Sequence, residues 1–469
     1  METSTFKLIE ATIEDTQQAF RDQKLTSVEL VQAYLDRIEK FDQNGPKINS
    51  VRAINPDALA IASELDEKRG QTEQGPLYGI PVLLKDNIET KDPMPTTAGA
   101  IALEHNFAKQ DTFVAKQLRD AGAIILGKVN LSEWAYFMSQ DGPSGYSSLA
   151  GQVKNPYGVD IFKPEDVGGS SSGTGAAIAS NFAVVGVGTE TSGSILSPSS
   201  ANSIVGIKPT VGLISRSRII PIAESQDTAG PMARTVTDAA ILLGAMTGVD
   251  EQDPATLGSA ACSLTDYTPH LKSDGLKNAR IGVDFSFLNN EAPEERAIMD
   301  AAIEQIKALG ATVVELTIPQ QEFESDVLWY EFKRGVNDYL ASTPDEVPVK
   351  SLADVIAFNQ QDPERDDPND ATYLEHREID FRTSTKEGID LIMQQHQLDA
   401  LLFQNNRGAA MPAKAGYPSI TVPAGYTEDG HPVGVTFSAQ AFSEARLIEL
   451  AYSYEQATQK RIAPDLESY

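Results

Sequence analysis

Short apolar runs that do not alternate with polar residues recur along this 469-residue chain, each bounded by segments of helical spacing. A strand with one wet face alternates apolar and polar side chains. A run that stays apolar must have both faces covered. The clearest run is Leu77-Tyr-Gly-Ile-Pro-Val-Leu-Leu-Lys-Asp-Asn87, which reads as a buried strand with Lys85 at its exit. Ala123-Ile-Ile-Leu-Gly127 and Ala183-Val-Val-Gly-Val-Gly188 read in the same way.

Helices are expected around these runs. Thr26-Ser-Val-Glu29 has the form of a capping box, with Val31, Tyr34, Leu35 and Ile38 behind it at helical spacing. Further helices are expected over residues 57–69, 111–121, 235–246, 294–309 (stopped by Gly310) and 443–458. Strands are expected at 280–284, 312–318, 399–404, 418–424 and 432–438. This alternation specifies an α/β fold layered on a largely covered sheet. No internal repeat or linker divides the chain, so residues 1–469 are expected to form a single domain. A helical insertion or lid is expected near 320–395, where Pro344, Pro348 and the acidic stretch 361–370 interrupt the pattern.

Lys plus Arg number 38 and Asp plus Glu 67, a formal net charge of −29. Such a surface repels phosphate backbones and anionic bilayers, so neither nucleic acid nor membrane is an expected partner. No apolar stretch is long enough to cross a bilayer. Met1 to Phe20 lacks the apolar core of a signal peptide, so a cytoplasmic location is expected. The single cysteine, Cys262, excludes an intrachain disulfide and any Cys-based zinc site, and its uncharged neighbours read as those of an inert thiol. The five histidines, His105, His270, His376, His396 and His431, show no metal-ligand spacing, and none sits in a glycine-rich loop. No metal or cofactor is expected, and a Ser-His-Asp mechanism has little to draw on.

Residues 141–233 are rich in Gly, Ser and Thr, with little helical periodicity beyond Thr174 to Phe182. Two loops stand out there, Gly168-Gly-Ser-Ser-Ser-Gly-Thr-Gly175 and Gly188-Thr-Glu-Thr-Ser-Gly-Ser194. Each lies at the end of an element, where free backbone N–H groups can receive an anion or oxyanion. The bland alternative is tight helix–strand packing by small residues. A phosphate loop fails, because no Gly-Lys-Ser/Thr follows. Gly169-Ser-Ser171-Ser-Gly173 does match a nucleophile elbow, a short pattern that arises easily in such a loop. A third reading is a serine activated by a lysine. A hydroxyl needs a base, and with histidine scarce a desolvated lysine such as Lys85 is the strong candidate.

The pieces Lys85-Asp-Asn87, Gly168-Gly-Ser-Ser171, Gly188 to Ser194, Gly206-Ile-Lys-Pro-Thr-Val-Gly212 and Asp227-Thr-Ala-Gly-Pro-Met-Ala-Arg234 occur in an order and spacing that resemble the amidase signature family. Lys128 to Trp134 and Ala415 to Pro423 extend the resemblance over nearly the whole chain. It implies a central mixed β-sheet covered by α-helices on both sides, and hydrolysis of a linear amide C–N bond without a cofactor. It implies a Ser-Ser-Lys triad, with Ser194 as nucleophile, Ser170 as bridging serine behind a cis peptide from Gly169, and Lys85 as base. Ser171 and Ser172, with Gly169, would then be supports, and the backbone N–H groups of Thr191, Ser192, Gly193 and Ser194 would form the oxyanion hole. The substrate would be a small-molecule or peptide amide.

Two departures matter. Where the family commonly reads Thr-Gly-Gly-Ser-x-Arg, this chain reads Thr191-Ser-Gly-Ser194-Ile-Leu196. The missing arginine argues against the alternative of a glutaminase subunit that feeds ammonia to a partner enzyme. Together with Glu331 to Leu340, the variant loop is similar to the peptide amidase subgroup. The substrate pocket is expected from segments such as 135–165 and 320–375.

Overall fold

The structure is a computed structural model, and it describes all residues except 1–5, 72–73, 138–141, 289–291, 319–324 and 360–370. In the first half of the chain the strands are β1 (Val51–Ile54), β2 (Pro81–Lys85), β3 (Ile124–Val129), β4 (Tyr146–Ser147), β5 (Gly151–Gln152), β6 (Val185–Glu190), β7 (Val205–Lys208) and β8 (Thr228–Ala233). In the second half they are β9 (Arg280–Val283), β10 (Thr312–Glu315), β11 (Ala400–Gln404), β12 (Ser419–Tyr426) and β13 (Pro432–Ser438). Eleven of them form one central sheet in the order β1-β3-β2-β6-β8-β7-β12-β13-β11-β9-β10, while β4 and β5 pair apart from it as a hairpin.

The sheet is mixed, as the family resemblance implied. β2 runs parallel to both β3 and β6, whereas β8 is antiparallel to β6 and β7. Every residue of β2, β3, β6, β7, β8, β11 and β13 is buried. Because side chains alternate between faces, full burial requires cover on both. The apolar runs of the sequence therefore carried the right information.

Helix boundaries follow local chemistry. Thr26 caps the helix Ser27–Ile38, its side chain accepting from the Glu29 N–H while Glu29 returns to the cap, and Leu30, Val31, Tyr34 and Ile38 are buried. The expected strand at 312–318 is shorter, Thr312–Glu315. Within residues 141–233 the expected helix and strand are present as Ser172–Ala179 and β6, and β7, β8 and the helix Leu196–Ala201 add regular structure that the composition did not suggest. Small residues serve packing here: a Cβ on Gly188 would lie 2.9 Å from Ser171 Oγ and 2.7 Å from Met232 Sδ. The chain can thus lay the loop before helix Ser172–Ala179 directly on β6.

Within the expected insertion, helix Val327–Ala341 buries Phe332, Val336, Tyr339 and Leu340. These side chains join Trp134, Ile220 and Ile222 in a small second core, apart from the main one. The acidic stretch 361–370 lies outside the described residues. No helix among the described residues is long and apolar enough to cross a membrane.

Candidate active site

Sheet topology decides which loops meet. β2 and β6 are parallel neighbours, with Leu84 opposite Val187, so both end at the same edge. Lys85 leaves β2 there, and β6 runs through Glu190 into the loop Thr191–Ser194. Open α/β sheets place their sites at the carboxyl ends of such strands. The third piece arrives from the Gly168–Ser171 loop, whose Gly169–Ser170 peptide is cis. The Ser171 N–H donates to the Ser194 carbonyl at 3.1 Å and so ties this loop to the next.

Lys85 is fully buried. Its Nζ lies 2.7 Å from Ser170 Oγ, 2.9 Å from Thr189 Oγ1 and 3.2 Å from the Thr189 carbonyl. Burial lowers its pKa to about 7, against the opposing charges of Asp227 and Glu190. The network suits a neutral amine. Two N–H bonds can go to Thr189, leaving the nitrogen lone pair for the Ser170 hydroxyl. Asp86, the adjacent carboxylate, is not its partner: Asp86 Oδ2 pairs with Arg52 Nε at 2.6 Å.

Ser171 Oγ is buried and committed to Thr189, donating to its carbonyl at 3.0 Å and accepting its N–H at 3.2 Å. Ser172 Oγ donates to the Gly168 carbonyl at 2.6 Å. Both hydroxyls are spent on backbone groups, so the elbow pattern at Ser171 coincides with a packed serine. Among the described residues no hydrogen bond joins Ser194 Oγ to Ser170 Oγ, yet both side chains line the same cavity.

That cavity holds about 520 Å³. Its walls include Asn87, Glu89, Ala135, residues 216–222 and 252–254, and, from helix Val327–Ala341, Gly335, Asp338 and Tyr339. The sequence pointed to Ala135 and to this helix but missed the segments 216–222 and 252–254. Those are held together by Asp253, which takes Arg216 Nε at 2.8 Å and Nη2 at 2.6 Å. Such long-range pairs leave no local pattern. None of the five histidines, nor Cys262, lies among the lining residues.

The structure corrects one of the four expected oxyanion donors. The Gly193 N–H is already given to Glu190 Oε1 at 2.8 Å. Glu190 is buried, and its other oxygen takes the N–H groups of Ile195 and Leu196 at 2.7 and 3.0 Å. Thr191, Ser192 and Ser194 show no backbone N–H bond of this kind among the described residues.

A buried lysine and two serines thus meet at one edge of a mixed sheet, and likeness to known proteins says what class of protein carries this fold. The amidase family pattern matches residues 29–403. A protein of Arabidopsis thaliana named as a probable amidase is 40% identical, over 98% of this chain and 93% of its own length. The solved peptide amidase of Stenotrophomonas maltophilia is 41% identical with a TM-score of 0.90, covering 98% of this chain and 100% of that one. A glutamyl-tRNA(Gln) amidotransferase component of Thermosynechococcus vestitus is similar at 33% identity, over 92% of this chain and 95% of its own. The chain belongs to the amidase family and is a hydrolase of amide C–N bonds.

Proposed function

We propose that this amidase cleaves carboxamides of short peptides or of peptide-like small molecules, through an acyl-enzyme on Ser194. The observation that carries the reading is the 2.7 Å contact between buried Lys85 and Ser170, at the wall of the cavity into which Ser194 also opens. Lys85 in its neutral form, which burial makes available from about pH 7 upward, takes the proton of Ser170. Ser170 takes that of Ser194, and Ser194 Oγ attacks the carbonyl carbon. The missing Ser170–Ser194 hydrogen bond is expected to form once substrate is bound, since catalytic contacts are often long in the free enzyme. The N–H groups of Thr191, Ser192 and Ser194 hold the developing oxyanion. The proton returns along the same path to the leaving nitrogen, and water then frees the acid.

The likeness to a peptide amidase at 41% identity, above that to amidotransferase components, supports the substrate class, as does Leu196 in place of the family arginine. The glutaminase reading predicts glutamine as the best substrate, hydrolysed well only beside a partner. An assay of the isolated chain on short peptide amides, anilides, aliphatic amides and glutamine tests the choice. Release of ammonia from peptide amides in preference to the others is expected. Preference for glutamine would overturn it.

A further inference from the structure

The cavity is lined by a carboxylate that the proposed proton path does not use, that of Asp227. Its two oxygens serve different parts of the site. Oδ1 accepts the Thr191 hydroxyl at 2.5 Å. Oδ2 accepts the N–H groups of Ile222 and Ala223 at 2.8 and 2.9 Å. Thr191 opens the loop that ends in Ser194, while Ile222 belongs to the cavity wall. Asp227 directly precedes β8, where Thr228 faces Glu190 at the end of β6. One side chain at the foot of a rigid strand thus joins the nucleophile loop to the surface that a substrate would touch.

The same carboxylate shares the cavity with Ser170, which Lys85 touches at 2.7 Å. Asp227 is the first of two negative groups that oppose the lowering of the Lys85 pKa, the other being Glu190. Lys85 is otherwise surrounded by the neutral oxygens of Ser170 and Thr189. Asp227 faces the Thr191 hydroxyl, two backbone N–H groups and the more distant charge of Arg216, which is itself engaged by Asp253. Burial pushes the Asp227 pKa up to about 6, so its charge is present at neutral pH and fades below that value.

We infer that Asp227 is a positioning residue of the amidase reaction, fixing the Thr191 end of the oxyanion loop against the substrate wall and placing a negative charge on the cavity wall that Ser170, the hydrogen-bond partner of Lys85, also lines. The inference rests on the Lys85–Ser170–Ser194 reading. It assigns two separable effects to one side chain, and two isosteric substitutions separate them. Asp227→Asn keeps the size and two hydrogen-bonding atoms but removes the charge. Thr191→Val keeps the charge but removes the tether.

The test is the pH dependence of kcat and kcat/KM on a short peptide amide for the wild type, Asp227→Asn, Thr191→Val and Ser194→Ala, with Tm measured for each. Without the Asp227 charge, Lys85 loses its proton at lower pH. Asp227→Asn should therefore move the acid limb down, on the order of one pH unit. Thr191→Val should leave that limb in place and lower kcat about 10–100-fold through a misplaced loop. An unmoved limb in folded Asp227→Asn, or full turnover in folded Thr191→Val, overturns the inference. If either variant fails to fold, the other still decides. Activity surviving in Ser194→Ala would instead sink the triad reading, and this inference with it.

Discussion

Glu190 spans the turn that presents Ser194, with one oxygen on the Gly193 N–H at 2.8 Å and the other on the Ile195 N–H at 2.7 Å. The loop is therefore wrapped around a buried anion. Gly193 sits at φ +86°, a left-handed conformation that strains other residues, and a Cβ there would lie 2.9 Å from Asn406 Nδ2. The carboxylate also stands at the start of helix Leu196–Ala201, taking the Leu196 N–H at 3.0 Å. Charge-assisted bonds of this kind are the strong ones.

Glu190→Gln puts an amide nitrogen where one carboxylate oxygen now accepts, so one set of backbone N–H groups loses its acceptor. A lost bond to a charged group costs about 1.5–3 kcal/mol. A lower Tm and a slower reaction of Ser194 with a serine-directed phosphonate are expected together. Wild-type labelling by Glu190→Gln would show that the loop holds its shape without the carboxylate.

The proposed triad gives an ordering. Ser194→Ala removes the attacking atom and should abolish acyl-enzyme formation. Lys85→Ala removes the base and should be nearly as damaging. Ser170→Ala breaks the path, but water can partly bridge it, so residual activity is expected. Single proton-transfer partners are worth about 10²–10⁴ in rate, more when they act as a unit. Mass spectrometry should find the phosphonate adduct on Ser194. An adduct on Ser171 would revive the elbow reading, against the two bonds that now commit Ser171 to Thr189.

Much of the fold was legible in the sequence, for identifiable reasons. A fully covered strand writes itself as an apolar run, so β2, β3 and β6 could be found, and Lys85 was marked by standing charged at the end of one. Thr26 and Glu29 announced their helix through local chemistry. β8 was harder, because Thr-Ala-Gly-Pro-Met-Ala has no alternation, a proline within it and a single β-branched residue, Thr228, and its place is set by pairing with β6 and β7. Asp227 stood out only as the first residue of a motif, since its contacts with Thr191 and Ile222 exist only in the folded chain. The capture of Gly193 by Glu190 was equally hidden: a backbone N–H looks free until its acceptor is placed.

Arg52 and Asp86 provide a control for the lysine. Their side chains are 9% and 0% exposed and meet at 2.6 Å. Asp86 also accepts the Thr97 hydroxyl. Removing one partner of a buried pair strands the other charge, at a cost of about 3–5 kcal/mol. Arg52→Ala should therefore lower Tm sharply while its folded fraction keeps phosphonate labelling at Ser194. Lys85→Ala should do the reverse, losing turnover in enzyme that remains folded. A Lys85→Ala variant that unfolds easily but turns over normally would assign Lys85 a structural role.

Charge in the cavity should shape substrate choice. Its walls carry Glu89, Glu224, Asp227, Asp253 and Asp338 against Arg216 and Arg218, on a chain of net charge −29. Substrates bearing several negative groups meet a repulsive field. Neutral or cationic peptide amides should show a higher kcat/KM than acidic ones of equal size, with the gap narrowing as salt is raised. A preference for phosphorylated or polyacidic amides would contradict this.

The pH profile follows from the lysine. Burial lowers the Lys85 pKa from the ordinary 10.5 to about 7. In the proposed reaction the working form is the neutral amine, so activity should be full above that value and fall as pH drops through it. The stability consequence has its own sign. Between about 7 and 10.5 the unfolded chain holds a proton on this lysine that the folded chain does not. Through this group alone, stability rises with pH across that window. Activity and the Lys85 contribution to stability should therefore increase together on leaving neutral pH for the alkaline side. Lys85→Met removes the titrating group, so the alkaline rise in its denaturation midpoint should flatten relative to wild type. A wild-type kcat/KM that stays constant well below neutral pH would show that the base is not a lysine held near neutrality, and would require another proton acceptor for Ser170.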